Sequence, residues 1–278
     1  MKYKIIADSS CELPQGYMED ERFKLIPFGM EIDGYHMIDN KGINIPELLK
    51  RIADSPVCAK SSCPSPQTFL EEFETEAKNI YVITISSKLS GCYNSAVLAK
   101  NMYDEKEHDK NIFVIDSLSA SCGESQLALR AMELEDAGQS FEEITKKLEE
   151  YRDQISTFFV LDNIETLRKN GRMSGVKALV ASTLNIKPVL AGDHGSIAQA
   201  GQAVGIKKAL ARMVDQIAKQ VTDAKHKRIM ITYCNNPQRA EYVKKLLQEK
   251  TEFEDYVIMG MSGLSSLYAN DGGIIVTY

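Results

Sequence analysis

The sequence predicts an α/β fold, with a mainly parallel sheet covered by helices in its first part and a second, smaller α+β domain from about residue 159 onward. Three observations predict it. Short runs rich in Ile, Val, Tyr and Phe alternate with stretches of helical period, the pattern of repeated βα units. The runs are continuously apolar rather than alternating, as strands buried on both faces are. Beyond residue 159 the rhythm changes, and a hairpin signal appears around Gly192, Asp193, His194 and Gly195.

In chain order, YKIIAD (3 to 8), FKLIPFGMEI (23 to 32), IYVITIS (80 to 86) and NIFVID (111 to 116) have the length and composition of buried strands. Helical periods fill 45 to 54, 66 to 78, 90 to 103, 123 to 137 and 141 to 154. Ser65-Pro66 reads as a helix start, with Pro in the first turn. FFVLDN (158 to 163) opens the second part, followed by helices at 163 to 169 and 175 to 184 and by the hairpin within 186 to 204. RIMITYC (228 to 234), YVIMGM (256 to 261) and GIIVTY (273 to 278) supply later strands, with helices at 206 to 222 and 237 to 250. No low-complexity linker separates the parts, so they are expected to pack closely.

Composition narrows the function. The chain has 278 residues, 44% hydrophobic and 26% charged, with a net charge of −6 and no basic block, which excludes nucleic acid as a main partner and leaves at most transient membrane contact. The start, MKYKIIADSS, has only a three-residue apolar core before Asp8, and no run is long enough to span a bilayer, so a cytoplasmic protein is expected. Six cysteines form no CxxC pair, so no metal site is expected.

Four segments are rich in hydroxyls: Asp8-Ser9-Ser10, Ser61-Ser62-Cys63-Pro64-Ser65-Pro66, Ser86 to Gly91, and Asp116-Ser117-Leu118-Ser119. In an open parallel sheet such loops meet at the carboxyl ends of the strands, where helix N-termini attract phosphate or carboxylate. Taken singly, a Ser or Asp turn is more often a helix cap than a site, and only their convergence favours a ligand. Gly91 beside Ser90 is the hardest to explain as a cap, since glycine weakens a helical turn and permits close approach to the backbone. No GxSxG elbow, SxxK or P-loop is present, and His36, His108, His194 and His226 lie in polar or loop contexts. A serine nucleophile is the weaker reading, leaving as the alternative an acyl hydrolase built on Ser90 or Ser62. A thiol sensor on Cys63 and Cys92 is a third. In KNGRMSG, Arg172 fits an ordinary basic turn or a phosphate contact.

Taken together, ADSSCELP (7 to 14), KSSCPSP (60 to 66), ISSKLSGCYNSA (85 to 96), VIDSLSASCG (114 to 123), LDNIETLRKNGRMS (161 to 174) and IKPVL (186 to 190) resemble, in this order, the DegV family of bacterial fatty-acid-binding proteins. The resemblance implies a Rossmann-like N-terminal domain (1 to 158), a smaller α/β C-terminal domain (159 to 278) and a lipid tunnel between them. It implies no cofactor and no catalysis. The ligand would be a long-chain fatty acid such as palmitate or oleate, presented to a fatty acid kinase. Its carboxylate would be held by Ser61 or Ser62 and by Ser90, with the Gly91 backbone N–H beside it. Tyr268 stands about where the family places a histidine, and Val204 and Ile206 stand where it places arginines that would dock the kinase.

Overall fold

The computed structural model describes residues 2–106, 109–173 and 185–278. In chain order the elements are β1 (Tyr3–Asp8), β2 (Phe23–Ile26), β3 (Gly29–Ile32), β4 (Tyr35–Ile38), α1 (Ile45–Asp54), β5 (Lys60–Ser62), α2 (Pro66–Phe73), β6 (Asn79–Thr84), α3 (Cys92–Asp104), β7 (Asn111–Asp116), α4 (Cys122–Asp136), α5 (Phe141–Arg152), β8 (Thr157–Val160), α6 (Glu165–Lys169), β9 (Ile186–Asp193), β10 (Ser196–Val204), α7 (Ile206–Gln220), β11 (Arg228–Tyr233), α8 (Pro237–Gln248), β12 (Asp255–Gly260), α9 (Gly263–Ala269) and β13 (Ile274–Thr277). The fold is α/β, as expected. The helix expected at 175 to 184 lies outside the described residues.

Three sheets organise the chain. A four-stranded, wholly parallel sheet has the order β2-β1-β6-β7. A six-stranded sheet runs β10-β9-β8-β13-β11-β12, antiparallel except for β11 with β12. The third sheet, β4-β3-β5, is a correction to the expected single strand over 23 to 32. That run breaks at Pro27, which has no N–H to donate, and the chain leaves one sheet for another. At the crossing, Phe28 is tied back by its N–H to Ser9 Oγ (3.0 Å) while its carbonyl accepts from Asp39 N (2.9 Å). Neither β4 nor β5 was legible, because β4 is mostly exposed and β5 is Lys-Ser-Ser, without an apolar residue.

Local signals placed most helices. Asn44 and Ser65 cap α1 and α2 with their side chains, each followed by a proline in the first turn, and Ser140 with Glu143 forms a capping box on α5. Helix α4 is of another kind: most of its residues are buried, on every face. It lies between the parallel sheet and the six-stranded sheet, in one apolar cluster with Ile5, Tyr81, Met230 and Met259. Gln126 on α4 also donates to the Arg228 carbonyl (3.0 Å).

Helix α9 was not anticipated. It is short and begins with glycine, and its caps come from far away in the chain. Asp39 accepts from Gly263 N (2.9 Å) and Leu264 N (2.8 Å), while Glu12 accepts from Ser262 N and Ser262 Oγ (both 3.1 Å). A side chain at Gly263 would overlap Asp39, so the glycine is what permits this approach. Asp39 and Glu12 are themselves 5% exposed. No helix among the described residues is long and apolar enough to cross a membrane.

Replacing Asp39 with Ala leaves two main-chain donors at the start of α9 without their acceptor. The expected loss is about 2 kcal/mol or more in urea denaturation, with Asp39→Asn, which keeps one acceptor oxygen, losing less.

Candidate ligand-binding site

The chain leaves β1 for β2 on one side and returns to β6 on the other, so the carboxyl ends of β1 and β6 flank a topological switch point. There the parallel sheet faces β8, the β9–β10 turn, α9 and β13 across a pocket. Its walls are mostly apolar, with Phe28, Leu89, Leu118, Phe159, Leu167 and Leu264 among them. The four hydroxyl-rich segments all reach it, through Ser10, Ser61, Ser90 and Ser119. Ser86 closes one flank by donating from Oγ to the Gly195 carbonyl (2.7 Å) at the hairpin tip.

Most serines in those segments serve the backbone. Ser9 accepts from Phe28, Ser65 caps α2, Ser86 accepts from Lys88 N (3.2 Å), and Ser117 accepts from Ser119 N (3.1 Å). These are turn and cap contacts.

Ser61, Ser90 and Tyr268 come together at the pocket, and Ser62 and Gly91 do not line it. Strand alternation separates the neighbours Ser61 and Ser62. Ser61 pairs with the buried Met30 in β3, whereas Ser62 pairs with Gly29, and a Cβ on Gly29 would lie 2.5 Å from Ser62 Oγ. Gly91 has an ordinary φ of −76° and is exposed, and a Cβ there would meet only Cys63 Sγ at 3.7 Å, so nothing in the protein demands glycine. Ser61 Oγ and Tyr268 Oη are 2.8 Å apart, a pair with two protons and one mutual bond. Ser90 Oγ accepts from Cys92 N (3.2 Å) at the start of α3, where the helix dipole adds partial positive charge.

Arg172 completes the group. Its guanidinium lies 5.7 Å over the Tyr268 ring and donates to the carbonyls of Leu89 (3.1 Å) and Asn170 (2.7 Å). Those acceptors are neutral, so among the described residues no carboxylate answers its charge. In sequence Arg172 fits an ordinary basic turn or a phosphate contact; that the turn folds back against Leu89 is a tertiary fact. Donors and an unpaired cation at one end of an apolar pocket suit an amphiphile with an anionic head.

No histidine lines the pocket among the described residues; His194 and His226 side chains are 97% and 77% exposed, and His108 lies outside the described set. The hydrolase reading therefore finds no support. Cys92 is fully buried, and burial with the nearby Asp8 charge holds its thiol well above the usual range, against a reactive pair with Cys63. Among the described residues no group of three or more His, Cys, Asp or Glu is arranged to hold a metal.

Behind the pocket lies a buried acidic layer. Burial pushes the Glu12 carboxyl up to about 7 despite its bonds from Ser121 and Ser262. Burial, then the charge of Asp8, raises Glu124 much further. Asp8 itself is raised by burial, opposed by the N–H groups of Ile85 (2.8 Å) and Ser10 (3.0 Å).

The family model described as an uncharacterised protein of the DegV family matches residues 2–278. A crystal structure of a DegV family protein from Ruminococcus gnavus, refined with vaccenic acid, is similar with a TM-score of 0.97 and 44% identity, covering 100% of this chain and 99% of that one. The fatty acid kinase (Fak) B3 protein of Streptococcus pneumoniae, loaded with linoleic acid, is similar with a TM-score of 0.89 and 33% identity, covering 100% and 99%. A DegV domain-containing protein of Streptococcus pneumoniae is 34% identical over 282 residues, which is 100% of this chain and 99% of the relative.

The acidic layer sets a pH dependence. A carboxyl whose folded pKa is raised from 4.5 to about 7 binds more protons folded than unfolded between those values, so stability falls as pH rises through that window. Its slope is up to about 1.4 kcal/mol per pH unit for this one group. Chemical denaturation at pH 5, 6 and 7 should show the fall, and Glu12→Gln should make it shallower, leaving the part that Glu124, Asp8 and Asp39 contribute.

Proposed function

The chain belongs to the DegV family, and on that footing we propose that it binds a long-chain fatty acid, holds the carboxylate at Ser61, Ser90, Tyr268 and Arg172, and presents the acid to a partner fatty acid kinase. The observation that carries this reading is the polarity of the pocket: apolar walls with hydroxyl groups and a guanidinium that no carboxylate among the described residues answers, grouped together. Arg172 supplies the positive charge that a phenol at 268 does not. The R. gnavus and S. pneumoniae relatives, with their vaccenic and linoleic acids, support the class of ligand.

The division of labour follows from magnitudes. Burying a methylene contributes ~0.8 kcal/mol, so a tail of about fourteen contributes ~11 kcal/mol before ordering costs. The hydroxyl contacts to the head group add ~1 to 3 kcal/mol and the Arg172 guanidinium about as much again, and together they fix which end faces out. The tail lies, in this reading, between an N-terminal unit of residues 1–158 and a C-terminal unit of residues 159–278, with β8 at their boundary. Kinase docking would use contacts other than the family's arginines, since Val204 is apolar and 59% exposed and Ile206 begins α7.

Organic extraction or native mass spectrometry of freshly purified protein should reveal a bound fatty acid. Its absence, together with no saturable uptake of palmitate or oleate, overturns the proposal. Arg172→Ala should weaken oleate about tenfold to a hundredfold, as expected for a lost charged hydrogen bond. Tyr268→Phe should weaken it by less than about tenfold. Shortening the acid by two methylenes should weaken binding up to about fifteenfold.

A further inference from the structure

The polar residues of the pocket fall into two groups. At the mouth, Ser61, Ser90, Arg172 and Tyr268 are partly exposed. At the depth, Ser10 is 1%, Ser119 6%, Ser121 0% and Ser265 8% exposed; Thr157, bonded to Ser119, is partly exposed and stands at the edge of this group. Both groups line the same cavity.

Their hydrogen bonding runs in opposite directions. The mouth offers donors. In the depth, Ser10 Oγ donates to Glu124, and Ser121 Oγ donates to Glu12 (2.7 Å). Thr157 Oγ1 and Ser119 Oγ share a bond of 2.7 Å, and Ser119 reaches on to the Ala120 carbonyl at 3.5 Å. Ser265 Oγ turns to the Ser10 carbonyl at 3.5 Å. A hydroxyl carries one proton and two lone pairs; with Ser119 donating to Ala120, Thr157 to Ser119 and Thr232 to Ser121 (2.8 Å), each of these groups spends its proton within the protein and keeps a lone pair for the cavity. The wall is thinned to make room: a Cβ on Gly123 would overlap the Ser119 side chain, and one on Gly192 would approach Thr157 Cβ at 3.4 Å.

We infer that the buried end of the pocket is a second polar subsite, one that accepts a hydrogen bond from a hydroxyl group carried on the acyl chain. This rests on the fatty-acid reading and names the ligand class within it: hydroxylated long-chain acids, with the carboxylate at the donor-rich mouth and the alcohol O–H at the acceptor-rich depth. An ether or a carbonyl on the chain has no proton to give and is not matched. Thr157 and Ser119 are the specificity-determining pair, since their bond ends on a neutral carbonyl rather than a carboxylate.

The test is competition binding of stearic acid, its monohydroxy positional isomers and their O-methyl ethers, with wild type, Thr157→Val and Thr157→Ser. At least one hydroxy isomer should bind about three- to tenfold more tightly than its ether, the span of one ordinary hydrogen bond. That ratio should approach one in Thr157→Val and return in Thr157→Ser. Ser119→Ala gives a second route to the same collapse if the valine variant does not fold. Wild type that fails to discriminate any isomer from its ether, or a ratio unmoved by both variants, overturns the subsite while leaving plain fatty-acid binding intact. If no acid of either kind binds, the carrier reading falls and takes the subsite with it.

Discussion

The pocket depends on two carboxylates that hold the start of α9 from a distance. Three consecutive main-chain N–H groups, at residues 262 to 264, must be satisfied in an interior that excludes water, and Glu12 and Asp39 accept from all of them. Without those acceptors a helix this short has little reason to form. With them, α9 becomes a wall carrying Leu264, Ser265 and Tyr268 into the cavity, and the phenol reaches Ser61 on a strand of another sheet. The cost is a layer of buried acids whose pKa values are driven upward, so the same groups that build the wall make it sensitive to pH.

Much of the architecture was legible because its causes are local. Strands β1 and β7 fell on the expected residues, helix α1 likewise, and the capping serines and prolines marked their helices. What escaped has non-local causes. The cap of α9 lies 224 residues from the helix it starts. Strand β5 has no apolar signal, and its pairing with β3 decides that Ser61 rather than Ser62 faces the ligand space. A one-residue choice of this kind follows from register, which sequence pattern leaves open where a strand is short and polar.

The serines teach a related distinction. Hydroxyl-rich loops did converge, yet most of their oxygens hold turns together, as the ordinary preference of serine for caps and turns would have it. Convergence matters because it leaves a few hydroxyls over, and what each can offer depends on where its single proton already points. Those left over line the pocket in hydroxyl pairs, Ser61 with Tyr268 and Ser119 with Thr157, a pairing that neither composition nor residue counting could reveal.

Helix α4 is enclosed by the parallel sheet on one side and by β11 and β13 on the other. A polypeptide severed just before β8 would thus yield one fragment with a naked greasy rod and another with an uncovered sheet. Neither could be exchanged, as a self-sufficient module, into an unrelated protein.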